Sequence, residues 1–200
     1  MQVLFQQNPL VMRGLSLPQR LMYFSTMWSY FSGFAAIVYF AAPVIFLLLG
    51  VLPVLSLAPE FFLHFLPFVV LNQTLFIVAS RGLPTWRAQQ YSLALFPVWI
   101  KSVTSAVRSV VFRSPLSFAV TPKVETHSER PQWGLIWPQL LAMAVLIVAT
   151  VLGVIRLVWF GADPLGTGVN VFWAVFDVLI LSVLIRAVQY RGYVATKEGS

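Results

Sequence analysis

The chain has 200 residues, 59% hydrophobic and 10% charged, whereas soluble domains average about 45–50% apolar and about 25% charged residues. This composition excludes a soluble globular fold and indicates an integral membrane protein. The absence of cysteine excludes disulfides, thiolate metal sites and cysteine nucleophiles. The net charge of +7 comes from basic residues spread between apolar segments, which favours contact with the lipid bilayer and not with nucleic acid.

The first apolar region, residues 21–58, contains no charged residue and is longer than the roughly 20 residues that one span needs. We predict that residues 17–33 form a helix at or entering the membrane surface and that residues 34–55 cross it, with a kink at Pro43. Aromatic residues crowd the start of this region. A membrane-surface belt is their common explanation, and a stacking surface for sugar rings, with Trp28, Tyr30 and Phe31, is the alternative.

Residues 61–80 predict the second span, which Arg81 and Gly82 end. Asn72 and Gln73 lie inside it, and we expect their amides to form hydrogen bonds with neighbouring helices.

Residues 83–113 alternate with helical period between a polar and an apolar face. The polar face contains Lys101, Thr104, Ser105, Arg108 and Ser109, and the apolar face includes Trp99 and Val103. This pattern predicts an amphipathic helix in the headgroup plane. A re-entrant or third spanning helix is the alternative, which Lys101 and Arg108 make energetically expensive.

A polar segment with three prolines follows, and we predict a loop over residues 114–132. Residues 135–158 and 169–188 predict two further spans, joined by a tight turn over residues 161–168. Lysine and arginine are scarce in the loops that join the paired spans, with only Arg156 close to one of them. The positive-inside rule therefore places both termini and the middle segment in the cytoplasm.

The predicted fold is an all-α membrane protein with four transmembrane helices, an amphipathic interfacial helix and a cytoplasmic loop. Its predicted regions are an entry segment (1–20), the first two spans (21–82), the interfacial helix (83–113), the loop (114–132), the last two spans (133–190) and a cytoplasmic tail (191–200).

The chain is poor in catalytic groups, since its six acidic residues show no spacing typical of acid–base catalysis. We therefore predict no catalytic residue and no metal site within this chain. Asp177 is the acid inside a span, and such a residue is by default a functional candidate. We favour a structural role, in which Arg156 or Asn170 satisfies the carboxylate.

Two stretches resemble processive family-2 glycosyltransferases of the bacterial cellulose synthase type. Residues 1–23 contain the pattern MQVL, NPL, GLSLPQRL and Tyr23, which is similar to the segment after the QxxRW motif of that family. Residues 118–123 read FAVTPK, which matches its FxVTxK gating-loop signature. The order of two spans, interfacial helix, loop and two spans is also similar, although Val124 stands where the family often has glycine.

The resemblance implies a synthase in the bacterial inner membrane that polymerises UDP-glucose into β-1,4-glucan and translocates the polymer. It implies that Phe118, Val120 and Thr121 contact the nucleotide; Lys123 is well placed to meet its phosphate charge. It also implies Mg²⁺ for the complete enzyme, a glucan channel for which Trp28, Tyr30 and Phe31 are candidates, and a periplasmic synthase subunit as a partner.

The aspartate motifs and general base of that family are absent, so we expect the chain to be the membrane half of a synthase. As a fragment or a split gene product, it would be inactive without the glycosyltransferase half. The alternatives are a small non-enzymatic four-span protein, such as a transporter subunit or assembly factor, and a synthase of another β-glycan such as curdlan.

Overall fold

The computed structural model describes residues 8–51, 59–83, 85–112 and 131–189, where all regular structure is helical. Side chains are described in these ranges except at positions 59–62. A short 3₁₀ helix, Trp133–Ile136, precedes α6. The α-helices are α1 (Leu17–Ser29), α2 (Ser32–Leu49), α3 (Pro59–Ala79), α4 (Trp86–Ala94), α5 (Phe96–Phe112), α6 (Trp137–Phe160), α7 (Pro164–Leu181) and α8 (Val183–Gln189).

Within these described ranges, three helical segments are long and apolar enough to cross a membrane. They are Ser32–Leu49, Trp133–Phe160 and Pro164–Gln189. A fourth is counted if α4 and α5, which meet at a bend of 47°, form one broken span. The apolar part of α3, Leu63–Ala79, is shorter. The prediction of an all-helical membrane protein is confirmed, whereas four spans plus an interfacial helix stays a prediction.

The core is formed where α2 packs against the antiparallel pair α6 and α7. Leu47, Leu146 and Leu181 are fully buried there. Gly153 of α6 permits the closest approach, since a Cβ at this position would lie 2.5 Å from Leu47 Cδ2. Small residues at helix crossings are typical of membrane bundles. Lipid tails are as apolar as the side chains, so the helices associate through the dispersion energy of close contact and not through a hydrophobic driving force.

Residues 161–163 join α6 to α7 and define what we call the turn end of the bundle. Asp163 caps α7, where its Oδ2 accepts a hydrogen bond from the Gly166 amide at 2.7 Å. Pro164 begins α7, a position where its missing N–H leaves no donor unpaired. The predicted turn over residues 161–168 is therefore wrong in its second half, which is the first turn of α7.

Helices α4 and α5 lie at the other end, which we call the opposite end. Gln139 Nε2, at the start of α6, donates to the Ala94 carbonyl at 2.9 Å. Gln90 Nε2 donates to the Leu179 carbonyl, near the end of α7, at 3.1 Å. The Phe96 and Phe40 rings also meet, with 5.4 Å between their centroids. The start of α6, the end of α7 and α4 thus come together at this end.

The structure divides the predicted helix of residues 83–113 into α4 and α5. Pro97 explains the break, because proline lacks an amide hydrogen and disfavours helical geometry in the residue before it. Ser109 was expected on the polar face of α5, but it is buried. That expectation is wrong, because the buried stripe of Phe96, Val103 and Ala106 continues through Ser109.

Candidate functional site

A cavity with a polar and aromatic lining lies between α2, α3, α4 and α7 and has a volume of about 430 Å³. Seven of its lining residues are aromatic and four carry side-chain amides. The aromatic residues are Tyr39, Phe65, Phe68, Trp86, Phe172, Trp173 and Phe176, and the amides are Asn72, Gln73, Gln89 and Gln90. Such a mixture is unusual for helices whose other surfaces are mainly aliphatic, so this cavity is the candidate functional site.

The aromatic side chains form one continuous wall centred on Trp173 of α7. Its ring centroid lies 5.1 Å from that of Tyr39, 6.0 Å from that of Phe176 and 6.4 Å from that of Phe65. The Trp86 ring extends the wall to α4, at 5.9 Å from Phe176. These spacings are those of favourable aromatic pairs, so the rings hold one another in place.

The amide side chains line the part of the cavity between α3 and α4. Gln89 Nε2 donates to Gln73 Oε1 at 3.1 Å, which ties α4 to α3. Gln90 is buried and receives a hydrogen bond on its Oε1 from Arg87 Nη1 at 3.2 Å. The expected interhelical hydrogen bond is thus confirmed for Gln73. It is wrong for Asn72, which is half-exposed on the same wall and forms no side-chain hydrogen bond within the described part of the chain. Its donor and acceptor are available to a ligand.

The chemistry of this lining suits a molecule with apolar faces and many hydroxyl groups. A pyranose ring has this character, because its axial C–H groups form apolar faces and its hydroxyls lie around the edge. Aromatic faces pack against the C–H groups, and amides both donate to and accept from hydroxyls. Ligand sites generally combine an apolar wall with a few polar groups in this way.

Asp177 follows Phe176 in α7 but does not line the cavity. It has no exposed surface, and neither carboxylate oxygen has a hydrogen-bond partner within the described residues. Both expected partners are engaged elsewhere. Arg156 Nη1 donates to the Leu47 carbonyl at 2.9 Å, and Asn170 Nδ2 donates to the Gly166 carbonyl at 2.8 Å. The expected pairing of Asp177 with either residue is therefore wrong.

The structure separates the other predicted site residues into three groups. Asn72 lines the cavity. Trp28, Tyr30 and Phe31 lie instead at the junction of α1 and α2, where Trp28 is 65% exposed and Tyr30 packs edge-on against Trp99 at 5.4 Å. The predicted gating-loop residues Phe118, Val120, Thr121 and Lys123 lie outside the described residues. The roles of all these residues stay predictions.

Sequence reasoning missed the aromatic wall of α7. Phe172, Trp173 and Phe176 follow the i, i+1, i+4 spacing that places side chains on neighbouring positions of a helix surface. That spacing was readable, but it does not indicate which face meets α2 and α3, because packing sets the rotation of a span.

The described residues do not fit a magnesium site. No group of three or more His, Cys, Asp or Glu side chains converges in residues 8–51, 59–83, 85–112 and 131–189. A requirement for Mg²⁺ stays a prediction about a complete synthase.

No family model and no solved structure matches this chain. It is similar in sequence to the catalytic subunit of the UDP-forming cellulose synthase of Komagataeibacter sucrofermentans, at 26% identity over 196 residues. The alignment covers 92% of this chain and 25% of that protein, so the chain spans about a quarter of the relative's length. Nearly all of this chain, with its apolar helices, therefore shows distant similarity to part of a cellulose synthase catalytic subunit.

Proposed function

We propose that this chain forms the membrane portion of a processive glycosyltransferase that polymerises UDP-glucose into β-1,4-glucan and moves the polymer across the bacterial inner membrane. The observation that carries the proposal is the cavity of aromatic and amide side chains between helices of which two, α2 and α7, are long and apolar enough to span a membrane. The distant similarity to a cellulose synthase catalytic subunit over 92% of the chain supports the same function.

The cavity would hold a short stretch of the glucan during its passage. Trp173 and Phe176 would pack against the apolar faces of the sugar, while Asn72 and Gln89 would exchange hydrogen bonds with hydroxyls. Passage requires that each binding position attract the polymer yet release it, as in other membrane conduits. Neutral amides and ring faces satisfy this requirement better than charged groups, because each contact is individually weak.

The gating loop is a further part of this proposal. Phe118, Val120 and Thr121 would contact the nucleotide, and Lys123 would approach its phosphates. Along the sequence, the loop lies between α5 and the 3₁₀ helix that leads into the start of α6. The start of α6 belongs to the opposite end of the bundle, so we assign the loop and the expected glycosyltransferase half to the cytoplasmic side there.

The experiment uses the complete synthase that contains this chain, in inverted membrane vesicles supplied with radiolabelled UDP-glucose. Trp173→Ala removes the central ring of the wall. An aromatic contact contributes about 1–1.5 kcal/mol, and the upper part of this range corresponds to about a tenfold change in rate. We therefore expect incorporation of glucose into polymer to fall about tenfold. Trp173→Phe should restore most of the rate. In the same assay Thr121→Ala should lower the rate without reducing the amount of inserted protein.

Phe160→Ala is the matched control, since Phe160 is 78% exposed at the turn end and does not line the cavity. Equal losses in Trp173→Ala and Phe160→Ala would contradict a role for the cavity in transport. Digestion of the product by a β-1,4-glucanase tests the linkage, and a resistant product would indicate another β-glycan.

A further inference from the structure

A second groove, which shares Trp86 and Gln90 with the aromatic cavity, lies between α4 and the junction of α7 with α8. Its volume is about 320 Å³, and we call it the arginine groove. Arg87 and Arg186 line its two sides, and Trp86, Gln90, Ser182 and Val183 complete the lining. Nothing in the proposed passage of a glucan uses the two guanidinium groups.

Hydrogen bonds connect the helices that form the walls of the arginine groove. Gln90 is buried and bridges its walls, since Gln90 Nε2 donates to the Leu179 carbonyl at 3.1 Å. Ser182, at the break between α7 and α8, donates through Oγ to the same carbonyl at 2.7 Å. Arg87 is oriented by its hydrogen bond to Gln90 Oε1 at 3.2 Å. The side of the groove formed by α4 is thus tied to the end of α7.

The positive charge of the groove is not balanced within the described ranges. No ion pair forms there, and Arg186 has no hydrogen-bond partner among the described residues. Asp163 lies at the turn end, and Asp177 is fully buried. Two guanidinium groups beside one groove repel each other unless an anion lies between them.

The height of the groove matches the headgroup layer of a membrane. The helical path from Pro164 to Arg186 rises about 33 Å at 1.5 Å per residue. The hydrocarbon core is about 30 Å thick, so Arg186 reaches the headgroups when the turn end lies at the other surface. Trp86 is 45% exposed beside the groove, as expected for an aromatic residue at the bilayer interface.

We propose that the arginine groove binds the phosphate of an anionic phospholipid through Arg87 and Arg186. A guanidinium presents a planar fork of donors that matches phosphate oxygens, and basic pockets between membrane helices bind anionic headgroups. The apolar wall of Trp86 and Val183 suits the glycerol and first acyl carbons, which favours a lipid over a soluble phosphate.

The test measures lipid that co-purifies with the full chain from mixed phosphatidylglycerol and phosphatidylethanolamine membranes, by mass spectrometry. We expect the native chain to retain phosphatidylglycerol preferentially and the variant Arg87→Gln/Arg186→Gln to lose this preference about tenfold. Arg87→Lys/Arg186→Lys keeps the charge but not the fork, and its preference should be intermediate. Circular dichroism checks that helical content is unchanged, and Arg186→Gln alone replaces the double variant if it misfolds.

The matched control is Lys101→Gln/Arg108→Gln, which removes the same charge from exposed positions of α5. An equal loss in the control would overturn the proposal in favour of diffuse surface charge. Displacement of the lipid by inorganic phosphate or UDP would overturn the assignment to a lipid and indicate a site for soluble phosphate. A native chain without preference for phosphatidylglycerol would also overturn it.

Discussion

Asp177 is the residue whose surroundings differ most from those expected of a buried acid. A charged side chain at the centre of a membrane helix costs about 3 kcal/mol, and here neither oxygen has a described partner. Asparagine has nearly the same shape and no charge. We therefore expect Asp177→Asn to raise or leave unchanged the thermal stability of the detergent-solubilised chain, whereas Asp177→Ala lowers it by leaving a cavity.

The difference in thermal stability is measured by heating each variant and determining, by size-exclusion chromatography, the fraction that stays folded. Thr167→Ser, a mild change at a second buried polar residue of α7, serves as the control. A loss of several degrees in Asp177→Asn alone would show that the carboxylate has a cationic partner in a part of the chain beyond the described ranges.

The sequence identifies Asp177 as unusual but does not predict its neighbours. Arg156 looked available as a partner because both residues lie in paired spans. In the structure its guanidinium instead donates to the Leu47 carbonyl at 2.9 Å, and at 3.4 Å to the Phe46 carbonyl, which also accepts from the Gly50 amide. The Leu47 carbonyl is one of the last in α2, which a helix leaves without an intrahelical donor. Backbone groups that a helix leaves unpaired are invisible in a composition count, so the competing acceptor could not be anticipated.

Between elements, the contact of α2 with α5 depends on Gly33. A Cβ at this position would lie 2.8 Å from the Phe96 carbonyl oxygen and 2.9 Å from Trp99 Cβ. Neither atom can rotate away, so α5 would have to move off α2. We expect Gly33→Ala to destabilise the chain by about 1–2 kcal/mol, because the overpacking cost of about 1–3 kcal/mol exceeds the gain in helix propensity.

Gly168→Ala is the control for this prediction, since nothing lies within 4 Å of its Cβ position in α7. It should be neutral or slightly stabilising. Denaturant unfolding monitored by tryptophan fluorescence compares the two variants, and equal stability of both would contradict the close packing of α2 on α5.

The sequence predicts most of the positions of the helices, but not the residues at which they begin and end or the faces that they bury. Apolar runs predicted the helices that became α2, α3, α6 and α7, because a span needs a length of apolar chain that is readable directly. The start of α7 was predicted five residues late. Asp163 and Pro164 are residues typical of a helix N-terminus, whereas the glycines at 166 and 168 are typical of a turn. The structure shows that the helix N-terminus prevails, because Asp163 caps α7.

For the whole molecule, the two ends of the bundle differ in charge. Arg156 is the basic residue beside the turn end, whereas Arg81, Arg87 and Arg186 belong to elements at the opposite end. From the positive-inside rule we predict that the turn end lies outside the cytoplasm. We expect a membrane-impermeable maleimide to label Ala162→Cys in intact cells whose outer membrane is permeabilised, and to label Ser128→Cys only in inverted vesicles.

The native chain contains no cysteine and so gives no background in this measurement. The reverse labelling pattern would contradict the proposed orientation, and with it the cytoplasmic position of the gating loop and the assignment of the arginine groove to that side.

The candidate site was predictable in its chemistry but not in its location. The sequence indicated aromatic stacking surfaces and an amide in the second span, and Asn72 does line the cavity. The aromatic wall, however, comes from α7 and Tyr39 and not from residues 28–31. Its members are distant in the chain, and they meet only because α2 packs across α7.

Helix α3 forms one wall of the cavity without belonging to the tightly packed core. Contacts that join it to the other helices include the Phe65 ring against Trp173 and the hydrogen bond from Gln89 to Gln73. A hydrogen bond of this kind contributes about 1 kcal/mol and a ring contact about as much, so small displacements of α3 are inexpensive. We therefore expect the width of the cavity to change through small displacements of α3 more readily than through displacements within the α2–α6–α7 core.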